Sequence, residues 1–226
     1  MDLTTRNKKV AINRWKRTLE NESKNIRKDK TSMILRSEIC GFLAGDGSVQ
    51  IRKEKSFYHY QLDFFPDDDI MLQRYLKIIS LVYNKEPQVL QKHNYYTVRL
   101  TSKTIIVDLL KYATFGVQKW NIPIKLLEYH NADKKWLKAF FSAEGTVDNK
   151  RIKIQSINEI GMEQVSQLLN NNNIEHKRYK YKPKNVNYNE VHIIMIFKKE
   201  ARRIFQKKVG FYHSKKELTL KKSLDL

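Results

Sequence analysis

The feature that most limits what this chain can fold into is an internal repeat. Slid against itself by 98 residues, the sequence places Ile39-Cys40-Gly41-Phe42-Leu43-Ala44-Gly45-Asp46-Gly47-Ser48-Val49 over Leu137-Lys138-Ala139-Phe140-Phe141-Ser142-Ala143-Glu144-Gly145-Thr146-Val147, and nearly every pair is chemically matched. A repeat of this length implies two copies of one supersecondary unit. Each copy opens with an apolar run at helical spacing and closes on an acid and a glycine. Each then continues into an alternating run that predicts a strand, VQIRKE in the first copy and RIKIQS in the second. Helix patterns follow at Asp69 to Leu81 and Gly161 to Leu169, strand-like runs at YYTVRLT and VHIIMIF, and closing helices at Lys103 to Tyr112 and Lys199 to Lys207. Gly116 and Gly210 come after those last helices. The expected fold is α+β, an α-β-β-α-β-β-α unit used twice.

Boundaries follow from breaks in this pattern. Residues 31–121 form the first repeat and 134–226 the second, with 122–133 as a linker interrupted by Pro123. Residues 1–30 lie outside the repeat and carry Lys8, Lys9, Arg14, Lys16, Arg17, Lys24, Arg27, Lys28 and Lys30, which predicts a basic arm or a short accessory helix.

Charge narrows the partner. There are 44 Lys and Arg against 24 Asp and Glu, a net +20. A surplus of that size calls for a polyanion, and basic and aromatic residues spread through patterned segments favour nucleic acid over a membrane surface. The single Cys40 excludes a disulfide framework and a cysteine-based zinc site. No apolar run is long enough to span a membrane and no signal core opens the chain, so an intracellular protein is expected, in cytoplasm, nucleoid or organelle. The six histidines show no HxxxH or HxH pairing, and GxxxxGK[ST] is absent, so neither a histidine-metal nuclease nor an ATP-driven activity is indicated.

The repeated acids carry chemistry. Small residues on one face of each motif helix (Gly41, Ala44 and Gly45; Ala139, Ser142 and Ala143) would let two backbones approach closely. If the helices pack side by side and parallel, Asp46 and Glu144 meet at two helix C-termini, where the macrodipoles oppose negative charge. A divalent cation reverses that penalty, and Mg2+ in particular binds through one or two carboxylates plus phosphate oxygens.

These residues resemble a known family. GFLAGDGS and AFFSAEGT are similar to the two signature helices of LAGLIDADG homing endonucleases in their double-motif form, over about residues 36 to 220. Phe141, Ser142 and Glu144 depart from the usual second motif. The resemblance implies two pseudo-twofold related repeats, signature helices packed at the interface, and two saddle-shaped antiparallel sheets lying over DNA. It implies a monomer that hydrolyses one phosphodiester on each strand of a long double-stranded target with Mg2+ or Mn2+. Asp46 and Glu144 would be catalytic metal ligands, with Gly45 and Ala143 in the same metal set. Lys119 and Lys216, with Lys215 as the alternative to Lys216, would be the basic residues near the two centres, and Asp67 and Gln155 or Ser156 would hold water. The family also includes intron RNA maturases and domains that have lost cleavage, which form the alternative reading.

Base reading is expected from the polar sides of the strands, because the major groove admits a β-ribbon and Arg and Gln suit guanine and adenine. The candidates are Ser48, Gln50, Arg52, Gln61 and Arg99 in the first repeat. In the second they are Arg151, Lys153, Gln155, Arg178, Lys180 and Lys182.

Overall fold

The computed structural model describes residues 3–55, 57–185 and 187–225, with side chains described from residue 10 onward. Helix α1 (Leu3–Asn25) precedes the first repeat, which runs α2 (Lys30–Asp46), β1 (Gly47–Glu54), β2 (Phe57–Phe64), α3 (Asp69–Tyr83), β3 (Gln88–Gln91), β4 (Tyr96–Leu100) and α4 (Lys103–Leu110). The second runs α5 (Ala132–Glu144), β5 (Thr146–Val147), β6 (Ile152–Ser156), α6 (Glu159–Asn171), β7 (Lys177–Tyr181), β8 (Val191–Ile196) and α7 (Lys199–Lys208), then a further helix, α8 (Ser214–Ser223). Each repeat builds a four-stranded antiparallel sheet of the same order, β1-β2-β4-β3 and β5-β6-β8-β7. The α+β class and the doubled unit follow the sequence pattern. Among the described residues no helix is long and apolar enough to cross a membrane.

One strand assignment is corrected. RIKIQS supplies β6, the second strand of its hairpin, and the strand that leaves the second motif helix is the two-residue β5. Alternation shows which residues share a face but not which strand of a hairpin they occupy, whereas the 98-residue offset itself sets Val49 over Val147 of β5.

The motif helices form the centre. Ser37 Oγ donates to the Ala132 carbonyl at 2.9 Å, and the positions facing Gly41 and Gly45 are Trp136, Ala139, Ala143 and Glu144, so α2 and α5 run parallel. A Cβ on Gly41 would sit 2.5 Å from the Trp136 carbonyl oxygen, and one on Gly45 would sit 2.4 Å from Ala143 Cβ. The small residues are therefore a steric requirement of the interface. Helix α2 is buried over most of its length, and its two fully buried charges are paired: Arg36 Nε donates to Asp108 at 2.8 Å, and Arg74 grips Glu38 through two bonds of 2.5 and 2.6 Å. Around α5, Trp136 and Phe140 stack with ring centroids 4.8 Å apart, and Trp120, from the end of the first repeat, packs 4.8 Å from Phe140.

The basic N-terminal segment is a helix. Glu22 of α1 accepts from Ser102 and Lys85 at 2.7 and 3.1 Å, while Lys103 lies over the rings of Trp15 and Tyr60 at 5.0 and 5.8 Å. It thus braces the first repeat from the helical side.

Candidate active site and nucleic-acid interface

Asp46 and Glu144 are the last residues of α2 and α5, and the parallel packing brings both into one half-buried centre. The glycine after each acid is there for space: both adopt extended backbone, and a Cβ would fall 2.4 Å from the Leu43 Cα or the Phe141 carbonyl oxygen. Burial pushes the Asp46 carboxyl up to about 6, Asp67 adding to the shift and Lys216 opposing it. Burial and then the charge of Asp46 push Glu144 up to about 7, again against Lys216. Such shifts mark an under-compensated negative centre.

Lys216 is the cation at that centre. Its Nζ donates to the carbonyls of Ser142 and Ala143 at 2.6 and 2.8 Å, which caps α5. Burial lowers its pKa, and the neighbouring acids Asp46, Asp67, Glu144 and Asp68 act against that. The contact engages the carbonyl of Ala143, one of the two residues expected beside the acids in the metal set; Gly45 is packed against Glu144 Cγ. Lys216 is positioned by α8, whose first residue is tied to the other repeat: Asp68 accepts from Ile70 and Met71 at the start of α3 and from the Ser214 amide at 3.0 Å. One carboxylate thereby caps two helices, and Ser214 Oγ also donates to it. His213, buried beside Asp67 and Asp68 at 3.5 Å from each, completes this junction. Sequence reading missed Asp68 and α8, because only contact across the two halves reveals them. Lys119 by contrast is exposed on the segment whose Gly116, Val117 and Trp120 line the cavity beside Glu144.

That cavity, about 310 Å³, is also lined by Gly45, Gln155, Ser156 and Val191. Gln155 and Ser156 are among its polar groups, while Asp67 stands on the Asp46 side. Among the described residues no three His, Cys, Asp or Glu side chains converge as a metal cage. Two carboxylates without a third protein ligand fit a hard cation such as Mg2+, whose remaining positions go to water and phosphate oxygens.

The sheets place the reading candidates. In the first sheet Ser48 faces Asp63 and Gln50 faces Gln61, with Arg52 and Arg99 on the same side, opposite the buried Leu62, Phe64, Val98 and Leu100. The five candidates of this repeat share the open face. They are interlinked: Arg99 grips Asp63 at 2.8 and 3.1 Å, Gln61 donates to Asp63 at 2.6 Å, and Gln50 bonds Ser48 and Arg52.

In the second sheet Lys153 and Gln155 lie on the open face, and Arg151 stands in the turn, paired with Asp148 at 3.0 Å. Arg178 and Lys180 require correction. They align with the buried Ile194 and His192 on the helix-covered face, and they bond Glu163 and Glu159 of α6 at 3.1 and 2.5 Å. The open-face residues of β7 are Lys177, Tyr179 and Tyr181. Every position in KRYKYK is basic or aromatic, so alternation alone could not choose the parity. Lys182 is exposed just beyond β7.

Two sheets flanking a pair of packed, acid-tipped helices define a two-repeat fold with one composite centre. The profile described as LAGLIDADG-like domain matches residues 131–210, the bulk of the second repeat. In fold the chain is similar to I-DmoI in complex with DNA and Mn, with a TM-score of 0.64 and 16% identity over 79% of this chain and 97% of that one. It is also similar to I-WcaI bound to its DNA recognition sequence, at 0.51 and 18% identity over 83% and 86%. Full-length DUF199/WhiA from Thermatoga maritima gives 0.53 and 14% identity over 92% of this chain and 65% of that one. A search of curated proteins by sequence finds no match. The second repeat thus matches the LAGLIDADG-like domain, and the whole chain shares the two-repeat fold of these structures.

Proposed function

We propose that this protein is a monomeric, site-specific, divalent-metal-dependent endonuclease of double-stranded DNA. The observation that carries the reading is the junction of Asp46 and Glu144 at two parallel helix C-termini, with Lys216 beside them and two open sheet faces flanking them. Both acids come from one chain, so a second copy is not needed to complete the centre. Structures of I-DmoI with DNA and Mn, Mg or Ca support the choice of partner and of cation class.

Asp46 and Glu144 would hold the cation against the scissile phosphates. Bound there, Mg2+ would act as a Lewis acid toward phosphate and lower the pKa of coordinated water. The chain supplies the rest. Lys216 keeps positive charge at the end of α5, where the attacked phosphate gains negative charge. Gln155 or Ser156, both lining the cavity beside Glu144, hydrogen-bonds the water that attacks phosphorus in line with the departing oxygen. Lys119, exposed on the segment that lines this cavity, is the second basic residue. The reading surface on the first repeat is Ser48, Gln50, Arg52, Gln61 and Arg99. On the second it includes Lys153 and Gln155.

The test is cleavage of a randomised duplex library with Mg2+, followed by recovery of the cut sequence. Double-strand cuts at one recurrent sequence by the wild type, absent with Asp46→Asn and with Glu144→Gln, are expected. Wild-type activity in either variant would overturn the assignment of the acids.

A further inference from the structure

The open faces of the two sheets differ in kind. On the first, the middle of the open face is Ser48, Gln50, Arg52, Gln61, Asp63 and Arg99, all able to hydrogen-bond, and its apolar members Phe57 and Leu90 stand apart at the hairpin tip and on the edge strand β3. On the second, the central strand β8 presents Val191, Ile193 and Met195, none of them buried in the core. Register sets Met195 between Lys153 and Lys177, and Ile193 between Gln155 and Tyr179. An aliphatic row left half-exposed along the middle of a sheet costs hydration free energy unless something apolar covers it. The row begins at Val191, in the cavity that also contains Glu144, so whatever lies over the acids continues along it. The flanking lysines and the net charge of +20 select a polyanion as that cover. The apolar group that duplex DNA displays in its major groove is the C5-methyl of thymine.

We propose that Val191, Ile193 and Met195 read thymine methyl groups, so that the half-site under the second sheet is specified by apolar contact while the half-site under the first is specified by hydrogen bonds. The proposal rests on the endonuclease reading and adds to it the chemistry of one half of the target. Lys177 holds the backbone beside the row, and β8 lies against the groove floor.

The test uses the duplex recovered from the randomised library, with thymine replaced by deoxyuridine in one half-site at a time. This removes the methyl group and keeps base pairing. The half-sites are assigned by an iron–EDTA probe on Lys177→Cys, since the native Cys40 is buried. Deoxyuridine under the second sheet should weaken binding by about fourfold for each methyl contacted. The same change under the first sheet should leave affinity as it was. Ile193→Ser and Met195→Ser, at half-exposed positions, should each make the two duplexes bind more nearly alike. A second half-site without thymine, equal penalties in both half-sites, or a penalty that survives both substitutions would overturn the inference while leaving the endonuclease reading intact. A wild type that sediments as a dimer, converted to monomer by Ile193→Ser, would show that the row covers a second copy instead. Failure to select any duplex would overturn both readings together.

Discussion

Across the pseudo-twofold junction the first repeat carries a hairpin of two eight-residue strands, where the second carries strands of two and five residues. The long hairpin extends a polar face whose side chains are tied to one another through Asp63. The short one leaves the open face to an aliphatic β8 and the cations beside it. The acids differ as well. Asp46 lies next to Asp67, while Glu144 lies at the helix end whose carbonyls are capped by Lys216. Duplication requires only that the helix packing and the strand order survive, because those bury the core. The outward residues and hairpin lengths are free to diverge, and they have done so where a ligand would be met.

The comparison can be broken hardest at the acids. If each half supplies an indispensable ligand, Asp46→Asn and Glu144→Gln should each reduce double-strand cleavage by roughly a thousandfold or more, with duplex affinity kept. Gel assays of plasmid cleavage check this, and an effect confined to one acid would make the centre one-sided. The lysines come next. Lys216→Met should slow cleavage by roughly a hundredfold, and Lys119→Met by less, since Lys119 is exposed and Lys216 is anchored to α5. Equal losses in strand-resolved kinetics would erase that asymmetry.

Packing offers a smaller test. Gly45→Ala forces a Cβ against Ala143 and should cost about 1–3 kcal/mol. The reciprocal Ala143→Gly removes a methyl and should cost about 1 kcal/mol. Chemical denaturation measures both, and a harmless Gly45→Ala would mean that the helices can separate.

The last test is pH. Folding raises both acids, Asp46 to about 6 and Glu144 to about 7, so the native chain keeps protons that the unfolded chain has released. The contribution of these two carboxyls to metal-free stability should therefore fall as pH rises from the ordinary carboxylate range through about 7, against the opposite contribution of buried His213, whose pKa burial lowers. Asp46→Asn and Glu144→Gln should then raise Tm by about 2 °C or more at pH 8 and by little at pH 4. Calorimetry without divalent ions gives the answer, and a Tm difference between variant and wild type that does not grow from pH 4 to pH 8 would contradict the burial of the pair.

Much of this architecture was legible in the amino acids. The repeat, its helix–strand order, the two acids, and the small residues between them are local or periodic features, and periodicity is carried by the chain itself. Gly116 and Gly210, both at positive φ after the closing helices, were equally visible as matched stops. What only the tertiary structure decided are matters of register and contact. RIKIQS alternates correctly wherever it sits, yet pairing with β8 makes it β6. Arg178 and Lys180 have the same composition as their neighbours, yet alignment with Ile194 and His192 turns them toward α6. Asp68 looks like an ordinary helix cap until Ser214 of α8 arrives on its other oxygen. A side chain's type is fixed by sequence, but its direction depends on which strand or helix it meets, and that is set by burial summed over the whole chain.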